Sequence, residues 1–178
     1  MSAFLYLDID GVLNPWEATS TPTTWPDFEQ HSITLNYGSG FQQRFKMWLS
    51  RELGAAIDAL HDLDVQVIWA TTWAADANPK IGTKIGIRRI PHLPYDIMKD
   101  DSGDDECGKL PFVTQHWEAN RDGRHSRAVW VDDNLGPKDF GWLSKQQDAE
   151  YSIWGINPHP ALGITPEMLD EITRLLIG

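Results

Sequence analysis

The chain has 178 residues, 41% hydrophobic and 23% charged, a balance that suits one globular domain with its own core and excludes a largely disordered chain. No run approaches the ~18 consecutive apolar residues of a membrane span, and the opening MSAFLYLDID lacks the basic n-region of a signal peptide. The net charge of −11 argues against binding nucleic acid through a general basic face; the single cysteine, Cys107, excludes an internal disulfide and suits a reducing cytoplasm.

In chain order, AFLYLD (residues 3–8) reads as a short buried strand closed by a turn. Residues 15–31, rich in Pro, Thr and Trp, read as irregular loop. In HSITLNYGSGFQQRF, Ile33, Leu35 and Tyr37 alternate with polar neighbours, as do Phe41, Gln43 and Phe45 beyond Gly38-Ser39-Gly40, which predicts a β-hairpin. From Phe45 onward the spacing of Leu49, Leu53, Ala56, Ile57 and Leu60 predicts an amphipathic helix. VQVIWATT (65–72) is a second buried strand, and AADANPKIGTKIGI begins as a helix that Pro79 interrupts. The stretch up to Gly108 is loop with an acidic run at 100–106, expected to be solvated. LPFVTQHWEAN forms a helix with Leu110, Val113 and Trp117 on one face. SRAVWVDDN (126–134) and EYSIWGI (150–156) are strands, and TPEMLDEITRLLI is a final helix with Thr165 as N-cap and Pro166 in its first turn. Strands alternating with helices imply a mostly parallel sheet covered on both faces. The expected architecture is α/β, a Rossmann-like three-layer sandwich, with residues 1–178 as one domain and a flap at about 15–46.

In such sheets ligands bind beyond the carboxyl ends of the strands. Three strands here end distinctively, in Asp8-Ile9-Asp10-Gly11, in Thr71-Thr72 and in Asp132-Asp133, and Lys109 immediately precedes a helix. Asp is depleted in strands, and carboxylates gathered at one place repel unless a cation sits among them. Each feature alone is weak; in this order they are specific.

LYLDIDGVLNP, WATT, Lys109 and VWVDDN resemble, in turn, the four motifs of the haloacid dehalogenase-like hydrolases. The combination LDIDGVLNP, WATTW and WVDDN is also similar to a small branch that includes domains attached to RNA-repair proteins. The resemblance implies a Mg²⁺-dependent phosphatase in which Asp8 is the nucleophile and forms an aspartyl-phosphate. Asp10 protonates the leaving oxygen and then activates water, its backbone carbonyl also ligating Mg²⁺. Asp132 is the expected direct metal ligand, with Asp133 a ligand or its neighbour, and Asp139 a supplementary acid. Thr71, or Thr72 if the strand runs one residue further, would hydrogen-bond the phosphoryl oxygens, and Lys109, preferred to Lys99, would offset negative charge. Gly11 allows close backbone approach beside the acids. Asp10 argues for phosphate chemistry, because the dehalogenase branch lacks that second acid.

The six histidines include no HxH or HExxH arrangement, which disfavours a zinc site, and Cys107 in an acidic setting is a poor thiolate nucleophile. No GxGxxG or GxxxxGK[ST] phosphate loop is present. Trp16 and Trp73 follow motif residues and are candidates for lining the site mouth and stacking on a base. Neither interval between motifs is long enough for a large cap domain. Open sites in this superfamily are similar to those acting on bulky phosphates, and the acid-free window containing Lys80, Lys84, Arg88 and Arg89 suits a polyanion. The expected substrate is therefore a phosphorylated nucleotide or nucleic-acid end, with no membrane partner. The alternatives are a small-metabolite phosphatase and a non-catalytic Mg²⁺-binding interaction module.

Overall fold

The computed structural model describes residues 2–37, 41–95, 107–121 and 125–178. Lys99, the acidic run at 100–106 and the hairpin turn 38–40 lie outside the described residues. A parallel sheet is built from β1 (Ala3–Leu7), β4 (Val65–Trp69), β5 (Ser126–Val131) and β6 (Tyr151–Ile156) in the order β4-β1-β5-β6. Leu7 pairs with Trp69 on one side and Val131 on the other, so β1 is central and three strand ends finish level with one another.

The period-two geometry of strands assigns each residue to a face. Leu5, Leu7, Val65, Val67, Trp69, Val129 and Val131 pack against Leu53 and Ile57 of α1 (Arg51–Asp58) and Ile172 and Leu176 of α5 (Pro166–Ile177). Phe4, Tyr6, Ile68, Ala128, Trp130 and Ile153 face the opposite way, against Val113 and Trp117 of α3 (Leu110–Asn120) and Leu143 of α4 (Pro137–Leu143). Both faces are buried, each buried aliphatic contributing about 1.5–3 kcal/mol. This is why the strands read as continuous apolar runs rather than alternating ones. No helix among the described residues is long and apolar enough to cross a membrane.

An antiparallel hairpin, β2 (Glu29–Tyr37) and β3 (Phe41–Leu49), stands outside this sheet, and its Ile33, Met47 and Leu49 join the core on the α1 side. It is longer than the alternation around Gly38–Gly40 predicts. Phe45 to Leu49 is strand, pairing with Ile33 through Glu29, and the helix begins only at Arg51. The four-residue spacing of Phe45, Leu49 and Leu53 also satisfies period two once Met47 is included, and the caps resolve the ambiguity. Ser50 accepts from Leu53 N–H at 3.0 Å, and Asp27 accepts from Ser50 Oγ and from the N–H groups of Arg51 and Glu52 at 2.8 and 3.0 Å. The AADANPKIGTKIGI segment is a 3₁₀ turn (Ala74–Asp76), a π-helical turn (Asn78–Gly82) and one α turn, α2 (Thr83–Ile85). Pro79 cannot donate into a regular helical ladder, which accounts for the break.

Both outer edges of the sheet carry a single extra rung. Beside β4, Trp69 N–H donates to Pro91 O at 2.9 Å and Leu93 N–H donates to Trp69 O at 2.8 Å. Beside β6, Gln147 bridges to Ser152, and its side-chain amide donates to Ile153 O at 2.6 Å.

Slight burial works against ionisation of Asp27, but the hydrogen bonds from Ser50, Glu52 and Arg51 outweigh it and hold this carboxyl below the usual Asp range. Its contribution is therefore present above about pH 4 and lost as the pH falls through the native value. Asp27→Ala is expected to cost about 1 kcal/mol at pH 7. In urea unfolding, the gap from native protein should narrow on acidification.

Candidate active site

Strand parity sets up the site. Asp8 and Asp132 each follow the last residue of a strand, and their even numbers place them on the face of Phe4, Tyr6, Ala128 and Trp130. That face is covered by α3, whose N-cap residue is Lys109. Its Nζ donates to Asp8 Oδ2 at 2.5 Å and to Asp132 Oδ2 at 2.7 Å, and all three side chains are buried. A lysine at a helix N-terminus works against the helix dipole; here two carboxylates reward it. Burial opposes the ammonium charge, but Asp8 and then Asp132 outweigh it and raise the Lys109 pKa above the ordinary lysine value. Burial, opposed by Lys109 and reinforced by Asp132, pushes the Asp8 carboxyl up to about 7.

Asp133 lies in the turn that follows β5. Its Oδ2 accepts from the indole Nε1 of Trp16 at 3.3 Å, and burial raises its pKa. Even so, Asp8, Asp132 and Asp133 each offer an oxygen within 4.8 Å of the others, the one such metal-ligating group among the described residues. Three carboxylates against one ammonium leave a formal −2, which hard-oxygen chemistry matches with a divalent cation. Gly11 makes the cradle possible. Its φ is +69°, and a Cβ there would lie 1.9 Å from Asp133 Oδ2. The residues fit a divalent metal.

Asp10 takes a different position. Its Oδ1 accepts from Asn14 Nδ2 and its Oδ2 from Trp73 Nε1, both at 2.8 Å. Asn14, itself buried, is aimed by Trp48 N–H of β3, which donates to Asn14 Oδ1 at 2.9 Å. The Asp10 carboxylate is thus fixed from both sides and stands outside the three-carboxylate group. Asn14 and Trp48 were not legible as site residues; only the position of Asn14 inside LDIDGVLNP hinted at a role.

Of the two threonines, Thr71 is buried and accepts from Trp73 N–H at 3.4 Å, whereas Thr72 is exposed. Ala70 N–H donates to Leu7 O, so Thr71 emerges beside Asp8 at the strand ends. Asp139 does not join the metal-ligating group. Its Oδ2 accepts from the N–H groups of Cys107 and Gly136 at 2.8 and 2.7 Å, tying the start of α4 to the turn that presents Lys109. Cys107 is buried, with its thiol pKa raised by burial first and Asp132 second. Burial, reinforced by the nearby carboxylates of Asp132 and Asp139, disfavours its thiolate.

The basic window divides. Arg88 is paired with Asp58, Nη2 to Oδ2 at 2.9 Å, and Lys80 Nζ donates to Thr34 O at 3.0 Å, fastening the hairpin. Lys84 is half-buried, and neither Lys80 nor Lys84 lines the cleft beside Asp10. Trp73 is buried with its N–H on Asp10 and its ring edge-to-face with Phe45 at 5.4 Å, a positioning residue rather than an open stacking surface. Trp16 alone of the two is exposed.

A central parallel sheet whose first and third strands deliver acids onto a helix-borne lysine, with a hairpin in place of a large cap, defines a haloacid dehalogenase-type domain. The chain belongs to the family described as the HAD domain in Swiss Army Knife RNA repair proteins, which it matches over residues 4–169. That membership makes it a hydrolase-type domain of a superfamily whose members are generally phosphatases using a divalent metal. No curated protein and no solved structure matches the chain.

Gly11→Ala forces both a left-handed alanine and a displaced Asp133. The expected result is about 1–2 kcal/mol lower stability and divalent-cation affinity reduced about tenfold, read by thermal unfolding with and without added Mg²⁺ and by calorimetric titration with the same ion.

Proposed function

We propose that this domain hydrolyses phosphate monoesters on nucleotides or nucleic-acid ends, in the cytoplasm, through an aspartyl-phosphate on Asp8. The observation that carries the reading is the convergence of Asp8, Asp132 and Asp133 with Lys109 lying between the first two. Asp8, Asp132 and Asp133, with the Asp10 backbone carbonyl, would hold Mg²⁺, which when bound would neutralise the phosphate dianion.

The chain's own residues account for the rest. Asp8 attacks phosphorus while the bond to the ester oxygen breaks, and Asp10 gives that oxygen a proton. Water then attacks the aspartyl-phosphate, and its proton returns to Asp10 as phosphate leaves and the Asp8 carboxylate is restored. Lys109 offsets the charge on Asp8 in both steps, and the Thr71 hydroxyl donates to a phosphoryl oxygen. The N–H groups of Asn14 and Trp73 hold Asp10 in one rotamer, so that its proton is delivered along a fixed line. A hairpin and no large cap among the described residues suit a substrate as bulky as the end of a polymer.

Phosphate release from an aryl phosphate, mononucleotides and oligonucleotides phosphorylated at either end is expected to require Mg²⁺ and to vanish in Asp8→Asn. Activity that survives Asp8→Asn would sink the covalent route. Trp73→Phe keeps the ring but removes the N–H. It should lower kcat about tenfold for alkyl leaving groups and little for a nitrophenyl one, a difference that a leaving-group series would resolve.

A further inference from the structure

A cleft of about 400 Å³ opens from Asp10 and is lined by Asn14, Trp16, Phe45, Lys46 and Met47. Asp10 faces the leaving oxygen in the reaction above, so whatever that oxygen carries occupies this cleft. Its aromatic components are held from behind. Trp16 leaves 56% of its surface exposed, yet its Nε1 is tied to Asp133 at 3.3 Å and its backbone N–H to Asn14 O at 2.7 Å. An indole anchored by its polar edge keeps its apolar face available. Phe45 is half-buried and braced by the ring of Trp73. Lys46, the next residue on β3, is exposed at the rim of a chain whose net charge is −11.

We infer that this cleft is a leaving-group subsite: the base of the terminal nucleotide stacks against Trp16 and Phe45, and Lys46 meets the next phosphate along the strand. The inference rests on the phosphatase reading of the same site and adds what selects the substrate. A small polar alcohol gains nothing from an exposed indole and a half-buried phenyl ring. A phosphotyrosyl ester would press its ring onto Asp10 and Asn14, at the polar floor. A nucleoside places a sugar at that floor and its flat base further out, and the volume suits it. Base–aromatic stacking tolerates any base, so the subsite selects nucleotides over other phosphates without reading sequence.

The test compares kcat/KM for a terminally phosphorylated oligonucleotide, the matching nucleoside monophosphate, ribose 5-phosphate and a phosphotyrosyl peptide. Native protein should favour the monophosphate over ribose 5-phosphate by about tenfold or more. Trp16→Ala should abolish that preference and Trp16→Phe, which keeps a face but not the N–H, should retain most of it. Lys46→Gln should weaken only the oligonucleotide, about threefold or more, and flatten its salt dependence by about one unit of slope. Equal losses on all substrates in both Trp16 variants would reduce Trp16 to a support for Asp133 and overturn the subsite, as would a preference for the peptide. Calorimetric binding to Asp8→Asn with Mg²⁺ separates the two readings. Tighter binding of the monophosphate than of ribose 5-phosphate without turnover in native protein would leave the cleft a nucleotide-binding site and sink the phosphatase, and with it the leaving-group role. Equal binding of the two would sink the subsite.

Discussion

The Lys109 ammonium between Asp8 and Asp132 is the contact on which the site depends. Removing one partner of a buried charge group is costly because the others are left without compensation. This one joins the central strand, its neighbour and the helix above them. Its supports are correspondingly deep: Asp139 fixes the Cys107 N–H just before the lysine, and Asn134 N–H donates to Asp132 Oδ1 at 3.0 Å. The charge balance at the strand ends is thus built into the backbone path rather than left to flexible side chains.

A second layer links this centre to the hairpin. Trp48 N–H aims Asn14, Asn14 and Trp73 aim Asp10, and Phe45 braces Trp73. One strand, β3, therefore helps to orient an acid and also forms part of the wall of the cleft in front of it. In the proposed reaction, geometry of this kind lets a domain without a large cap place its proton donor and substrate relative to one another.

Much of this was legible in the sequence because it rests on local rules. Apolar runs closed by Asp8, Thr71 and Asp132 identify parallel strands, and strand parity then puts Asp8 and Asp132 on the face that Lys109 covers. The extent of β3 was not legible, since Phe45, Leu49 and Leu53 satisfy two periodicities and the decision falls to a cap supplied by Asp27, more than twenty residues away. The roles of Arg88 and Lys80 were hidden for the same reason. Their partners, Asp58 and the Thr34 carbonyl, are remote in sequence, so a run of basic residues looked like one patch when its members serve different ends. Asp139 shows the converse: an acid near other acids that serves backbone N–H groups instead of an ion.

The single rungs at the two sheet edges bear on the behaviour of the protein in solution. A strand edge with unpaired amides is a template on which another chain can add. Beside β4 the template is met by Pro91 and Leu93 of the same molecule, with a second proline at position 94 unable to donate. Beside β6 the Gln147 amide occupies a carbonyl that an incoming strand would need. Four parallel strands, each rich in large apolar residues, are in this way discouraged from growing into intermolecular sheets.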